Sequence, residues 1–175
     1  MITLIFGPMY SGKSSELLRR LERAHIANKR AILLRPLTDT RSFLSHAGGD
    51  YSWLKQEFVD LGKFDAATFD FIAIDEGQFF SGLKEFCLKY SLAGKRVIVS
   101  ALHATSESEM FDEIIKLLPY CEEIVKLNAI CTKCGADDAT YTFHLSGSKT
   151  DKVAVGGTEA YAARCDKCYF IDIKR

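Results

Sequence analysis

Two hydrophobic periods alternate along most of the chain, and their switches mark its elements. Ile2–Phe6 is a short β-rich run that enters the glycine-bearing segment Gly7–Ser14. Leu17, Leu18, Leu21 and Ala24 then recur at helical spacing, with Arg19, Arg20, Glu22 and Arg23 on the opposite face. Ala31–Leu34 reads as a second buried strand. Strand, glycine loop, helix and strand in this order form a βαβ unit, which implies a right-handed crossover and a parallel sheet. Phe69–Ile74 is expected to be the third strand, ending in Asp75-Glu76. Ser81 is placed to cap a helix bearing Leu83, Phe86, Cys87 and Tyr90, with Gly94 closing it. Val97–Val99 predicts a fourth strand and Ile124–Leu127 a fifth. Between them, Ser106-x-x-Glu109 has the form of a capping box opening a helix with Phe111, Ile114, Leu117 and Leu118, stopped by Pro119. Past residue 128 this pattern ends and a cysteine-bearing region begins, interrupted by the polar stretch Ser146–Asp151 and Gly156-Gly157, which reads as a long loop.

Composition narrows the class. The chain has 175 residues, 47% hydrophobic, enough for one domain with a small appendage and a real core. Three prolines and 26% charged residues argue against disorder. Apolar runs stop at four residues, too short for a membrane span. Met1 leads straight into Ile2–Phe6, with no basic region resembling a signal peptide. Lys and Arg total 23 against 23 Asp and Glu, so nothing points to a polyanion-binding surface. The expectation is a cytoplasmic protein that acts on a small molecule and engages neither nucleic acid nor membrane.

Four of the six cysteines form two C-x-x-C pairs, Cys131/Cys134 and Cys165/Cys168. Two such knuckles can set four thiolates tetrahedrally around zinc. The 30 residues between them imply an insertion. A redox dithiol would leave the second pair unexplained. Cys87 and Cys121 stand in apolar patterns, where buried inert thiols are usual.

The strongest chemical signal is Gly7-x-x-x-x-Gly12-Lys13-Ser14, a phosphate-binding loop between a strand and a helix. Its glycines let backbone N–H groups turn toward a phosphate, and the helix N-terminus adds positive potential. Lys13 would reach the β and γ phosphates of a nucleoside triphosphate, and the Ser14 hydroxyl would ligate Mg²⁺. Asp75, at a strand end, suits the same metal shell. Glu76 follows it, and in extended chain its side chain points the other way, toward a second substrate.

These residues carry a family resemblance. Gly7-Pro8-Met9-Tyr10-Ser11-Gly12-Lys13-Ser14-Ser15-Glu16-Leu17 resembles the phosphate loop of the zinc-containing (type II) thymidine kinases, and Asp75-Glu76-Gly77-Gln78-Phe79-Phe80 resembles their metal and base segment. Asp39-x-Arg41, Ser45-His46-x-Gly48, Val125-Lys126-Leu127, Gly156-Gly157-x-x-x-Tyr161 and Cys165-x-x-Cys168-Tyr169 match in order, so the resemblance spans nearly the whole chain. It implies an α/β fold: a RecA-like core with a mostly parallel sheet over 1–128, and a small zinc-ribbon domain over 129–175 whose lasso loop closes on the nucleoside. It further implies transfer of the γ-phosphate of ATP to the 5′-hydroxyl of thymidine, with deoxyuridine a possible second acceptor. Glu76 would be the general base, with Lys13 and Arg41 as catalytic cations. Gly7, Pro8, Met9, Tyr10, Ser11, Gly12, Lys13, Ser14, Ser15, Asp75 and Gln78 would hold ATP and its Mg²⁺ (Ser14 and Asp75). Met9, Asp39, Phe79, Leu102, Phe111, Val155, Gly156, Gly157 and Tyr161 would hold the nucleoside, and Cys131, Cys134, Cys165 and Cys168 a structural zinc. Homotetramer assembly and feedback inhibition by dTTP come with the same resemblance.

One segment departs from the family pattern. Where the family has Asp-Gly followed by Thr, an aromatic and a basic stretch, this chain reads His103-Ala104-Thr105-Ser106-Glu107-Ser108-Glu109. Loss of the aromatic predicts weaker thymidine binding and wider acceptance of pyrimidine deoxynucleosides. Two other classes compete with a nucleoside kinase: an NTPase module of a DNA-processing protein carrying a zinc ribbon, and a catalytically silent nucleotide sensor. Balanced charge and short length oppose the first, and the presence of Glu76 opposes the second.

Overall fold

A computed structural model describes residues 1–38, 51–145 and 160–173. Its centre is a six-stranded sheet in the order β3-β2-β4-β5-β1-β6. The strands are β1 (Ile2–Gly7), β2 (Ala31–Pro36), β3 (Lys55–Val59), β4 (Phe71–Ile74), β5 (Arg96–Leu102) and β6 (Glu123–Lys126). Every pairing is parallel, with β1 held between β5 and β6. Such a sheet must be covered on both faces, which explains why β1, β2 and β4 are apolar almost throughout rather than alternating.

Helix α1 (Lys13–Ile26) covers one face with Leu17, Leu18, Leu21 and Ala24, packed against Ile5, Leu33, Ala73 and Ile98. Helices α2 (Leu83–Leu92) and α3 (Asp112–Leu117) cover the other, bringing Leu83, Phe86, Tyr90, Ile114 and Leu117 onto Ile2, Leu4, Ile72 and Val99. Each fully buried leucine contributes about 1.5–3 kcal/mol by leaving water. The layers set the C-terminal ends of β1, β4 and β5 side by side, and open parallel sheets bind ligands at these ends.

The structure corrects three local expectations. The third strand in chain order is Lys55–Val59, and Phe71–Ile74 is the fourth. Ser81 does not cap α2. Gly82 does, in a left-handed conformation (φ 71°), and the Leu83 N–H donates to Glu113 Oε2 of α3 at 3.0 Å. Ser106 and Glu109 form no capping box either. They lie in a tight hairpin before α3, which starts later, at Asp112, with Phe111 as its flanking residue. The Thr105 hydroxyl instead accepts the Glu107 and Glu109 N–H groups, each at 3.3 Å.

Beyond β6, β7 (Tyr141–His144) and β8 (Tyr161–Arg164) pair antiparallel, and α4 (Asp166–Asp172) follows. Ala129, Ala139 and Ala163 pack around the cysteines in a small separate cluster. None of the described helices is long and apolar enough to cross a membrane.

Candidate active site

The loop after β1 is built for close approach. A side chain at Gly7 would meet the Leu127 carbonyl at 2.4 Å, so only glycine fits beside the neighbouring edge strand. Gly12 sits at φ 79° and turns the chain into α1, whose N-terminus has no side-chain cap. Its first-turn N–H groups can therefore serve an anion. Lys13 is buried, and its Nζ donates to the Pro8 carbonyl at 2.6 Å while the Ser11 hydroxyl donates to the same oxygen at 2.9 Å. The loop is thus folded around its own lysine.

Ser14 faces the end of β4. Its hydroxyl lies 3.4 Å from both carboxylate oxygens of buried Asp75. A hydroxyl and a carboxylate this close form an all-oxygen donor set that suits a hard divalent cation. Glu76 then breaks the strand in the left-handed region (φ 54°, ψ 44°), an uncommon conformation for a non-glycine residue and one concentrated at functional sites. Glu76 is therefore not in the extended conformation that the alternation of adjacent side chains assumes. Gln78 Nε2 donates to Glu76 Oε2 at 2.5 Å, and Gln78 Oε1 accepts the Leu102 N–H at 2.9 Å. Both ends of this buried amide are engaged, one by the carboxylate and one by the end of β5.

Farther along the chain, four cysteine sulfurs converge. Those of Cys131, Cys134, Cys165 and Cys168 all lie within 4.8 Å of one another. The Cys134–Cys165 separation is 3.6 Å, close to the ~3.8 Å edge of a tetrahedron with 2.3 Å metal–sulfur bonds. Burial pushes the Cys131 thiol up, but backbone N–H groups of Cys165, Lys133 and Cys134 outweigh it and bring the thiol down to about 6. The donor set fits zinc.

A sequence model of the family described as thymidine kinase matches residues 1–169. The chain belongs to the thymidine kinase family. The thymidine kinase of Raccoon poxvirus is 41% identical over 172 residues, covering 96% of each chain. The cytosolic thymidine kinases of Gallus gallus and Homo sapiens are each 39% identical, over 174 and 172 residues. Those matches cover 97% of this chain and 76% and 73% of the relatives.

Within this thymidine kinase chain the expected nucleoside-slot residues take distinct places. Leu102 pairs in register with Gly7, beside the loop that carries Met9. Phe79 is exposed and meets the Phe111 ring edge-on at 6.4 Å. Tyr161, at the start of β8, packs edge-on against His144 at 4.9 Å. The expected sites at Asp39, Arg41, Val155, Gly156 and Gly157, and the matches at Ser45, His46 and Gly48, lie outside the described residues.

Several residues tie the cysteine-bearing region to the phosphate loop without any sequence signal. Thr142 Oγ1 accepts the Met9 N–H at 3.0 Å, and the Tyr10 hydroxyl donates to the Tyr161 carbonyl at 3.3 Å. Arg35, on which the sequence pattern is silent, is buried with its guanidinium 5.0 Å from the Phe58 ring centre. The His103 ring packs edge-on to Phe6, and the His103 backbone N–H donates to the Gly7 carbonyl at 3.4 Å. Burial, with smaller contributions from Lys126 and Lys13, holds the imidazole below its ordinary value against the raising effect of the Gly7 backbone on the ring.

A groove of about 910 Å³ lies at the opposite, N-terminal ends of the strands, between Arg20, Arg23, Lys29, Lys95 and Arg96. Its cations sit where α1 and α2 end and complement the carbonyl ends of those helices. It is remote from the phosphate loop.

Proposed function

We propose that this chain is a thymidine kinase that moves the γ-phosphate of ATP to the 5′-hydroxyl of thymidine. The observation that carries this reading is the convergence of the Gly7–Ser14 loop, Asp75 and Glu76 at one end of the sheet, with Ser14 3.4 Å from Asp75. The loop N–H groups and Lys13 would cradle the phosphates. Ser14 and Asp75 would hold Mg²⁺, which neutralises phosphate charge when bound. Glu76 would take the 5′-hydroxyl proton as that oxygen bonds to the γ-phosphorus and the bond to the β–γ bridging oxygen breaks, releasing ADP. Gln78, hydrogen-bonded to Glu76, would aim the base. Arg41 would add positive charge at the transferred group, with Asp39 beside it.

Met9, Phe79, Leu102, Phe111 and Tyr161 would form an apolar slot that excludes purines by size. Val155, Gly156 and Gly157 would close over the sugar. The altered Ser106 segment favours acceptance of other pyrimidine deoxynucleosides, deoxyuridine among them. In this reading residues 1–128 are the nucleotide-binding core and 129–175 a zinc module with its lasso. The enzyme would act in the cytoplasm as a homotetramer under dTTP feedback. Exposed Met110, Ile115 and Ile124 are apolar surface that assembly could cover.

Glu76→Gln preserves shape and removes the proton acceptor. We expect kcat to fall roughly 10²–10⁴-fold with ATP affinity retained. Near wild-type turnover in that variant would exclude Glu76 as the base.

A further inference from the structure

Tyr169 follows the cluster residue Cys168 directly on α4, and its phenol reaches out of the cysteine-bearing region to the loop before α3. The hydroxyl donates to the Ser106 carbonyl at 2.8 Å and accepts from Ser108 Oγ at 3.0 Å. The ring is 5% exposed, stacked on Tyr141 at 4.2 Å and edge-on to Phe143 at 6.1 Å. One donated and one accepted hydrogen bond thus join this buried phenol to the tip of the 104–110 hairpin.

The hairpin has its own internal order. Ala104 bridges Met110, the Thr105 N–H donates to the Glu109 carbonyl at 2.8 Å, and Ser108 turns at φ 64°. The hairpin's two roots are Leu102, at the end of β5, and Phe111, which leads into α3 and meets Phe79.

We propose that Tyr169 is a positioning residue for nucleoside selection: it clamps the hairpin tip and thereby fixes Leu102 and Phe111. This rests on the reading of Leu102 and Phe111 as slot walls. The partners of the Tyr169 hydroxyl, Ser106 and Ser108, lie in the hairpin and not in the phosphate loop or at Glu76, so its hydroxyl acts on nucleoside binding rather than on phosphoryl transfer. The same turn of α4 carries Cys168, which ties slot geometry to the order of the cysteine cluster.

The test is steady-state kinetics of the full-length Tyr169→Phe, Ser108→Ala and Phe111→Ala variants, varying thymidine, deoxyuridine and ATP in turn. Amide hydrogen exchange of residues 104–110 is followed in parallel. Tyr169→Phe keeps the stacked ring and the metal content. It should raise the thymidine KM about five-fold, the worth of a typical lost hydrogen bond. Its kcat and ATP KM should stay within about two-fold, and exchange at Ser108 and Glu109 should quicken. Ser108→Ala should give a smaller rise in the same direction. The ratio of deoxyuridine to thymidine kcat/KM should also shift in Tyr169→Phe. An unchanged thymidine KM there, with Phe111→Ala raising it, overturns the clamp and leaves the slot standing. An unchanged KM in Phe111→Ala removes the slot and the clamp together. Parallel losses in kcat and ATP KM in Tyr169→Phe would reduce its role to folding and overturn the proposal.

Discussion

Replacing Gln78 with leucine isolates the question of how the Glu76 carboxylate is aimed. Leucine has nearly the same volume, so packing around the buried site changes little. What goes is the amide: Glu76 Oε2 loses its donor at 2.5 Å, and the Leu102 N–H loses its acceptor at 2.9 Å. A partly buried N–H left without a partner costs about 1–3 kcal/mol, so global stability should drop by about 2 kcal/mol in urea unfolding. The carboxylate would then lack the amide donor that orients its Oε2 beside the left-handed kink at Glu76. We therefore expect kcat, at saturating ATP and thymidine, to fall about 10–100-fold, less than the full general-base contribution. Gln78→Asn keeps the chemistry but is too short to span both partners, and should fall between the two. If Gln78→Leu loses about 2 kcal/mol yet keeps kcat within about two-fold, the amide serves folding only and the aiming argument is wrong.

Chelation of the metal, or Cys131→Ser, should loosen β7, β8 and α4 and reduce activity, although no cysteine joins the phosphate loop. Metal analysis should find about one zinc per chain, and a metal-free chain with full activity would refute this. Glu16 is held down to about 2 by its hydrogen bonds to Arg19, with Arg20 adding to them against the opposing effect of burial. A carboxylate depressed in the folded state stabilises above its unfolded value of 4.5, and that contribution is lost as pH falls from 4.5 toward about 2. Because Arg19 is mostly solvated, the Glu16→Gln penalty should be only about 1 kcal/mol at pH 7. It should shrink steadily in denaturation series carried from pH 5 to pH 2.5, and a penalty that does not change over that range would contradict the assignment.

Local, contiguous features were legible in the sequence. The phosphate loop needs only eight neighbouring residues, and Asp75 follows at once from the strand Phe71–Ile74. The two C-x-x-C pairs likewise announce a cluster whose sulfurs the fold brings within 4.8 Å. Strand β3 was not legible because it is an edge strand: of Lys55–Val59 only Val59 is buried, so no hydrophobic alternation survives. Two capping signals misled for one reason. Ser81 and Ser106 have suitable side chains, but α2 starts from left-handed Gly82 and α3 starts later, from Phe111, with no side-chain cap on either. Nor could any pattern foretell the joints between the core and the cysteine-bearing region, since Met9 and Thr142 are 133 residues apart and Ser106 and Tyr169 63. Such contacts are set by the three-dimensional seating of the two parts.

The most direct test of the central claim follows the label from [γ-³²P]ATP in the presence of thymidine, thymidine lacking its 5′-hydroxyl, or single-stranded DNA. The account predicts labelled thymidine 5′-monophosphate with thymidine, no labelled nucleotide without the 5′-hydroxyl, and no stimulation of ATP hydrolysis by DNA. Release of labelled phosphate that DNA accelerates, with no labelled nucleotide formed from thymidine, would contradict it.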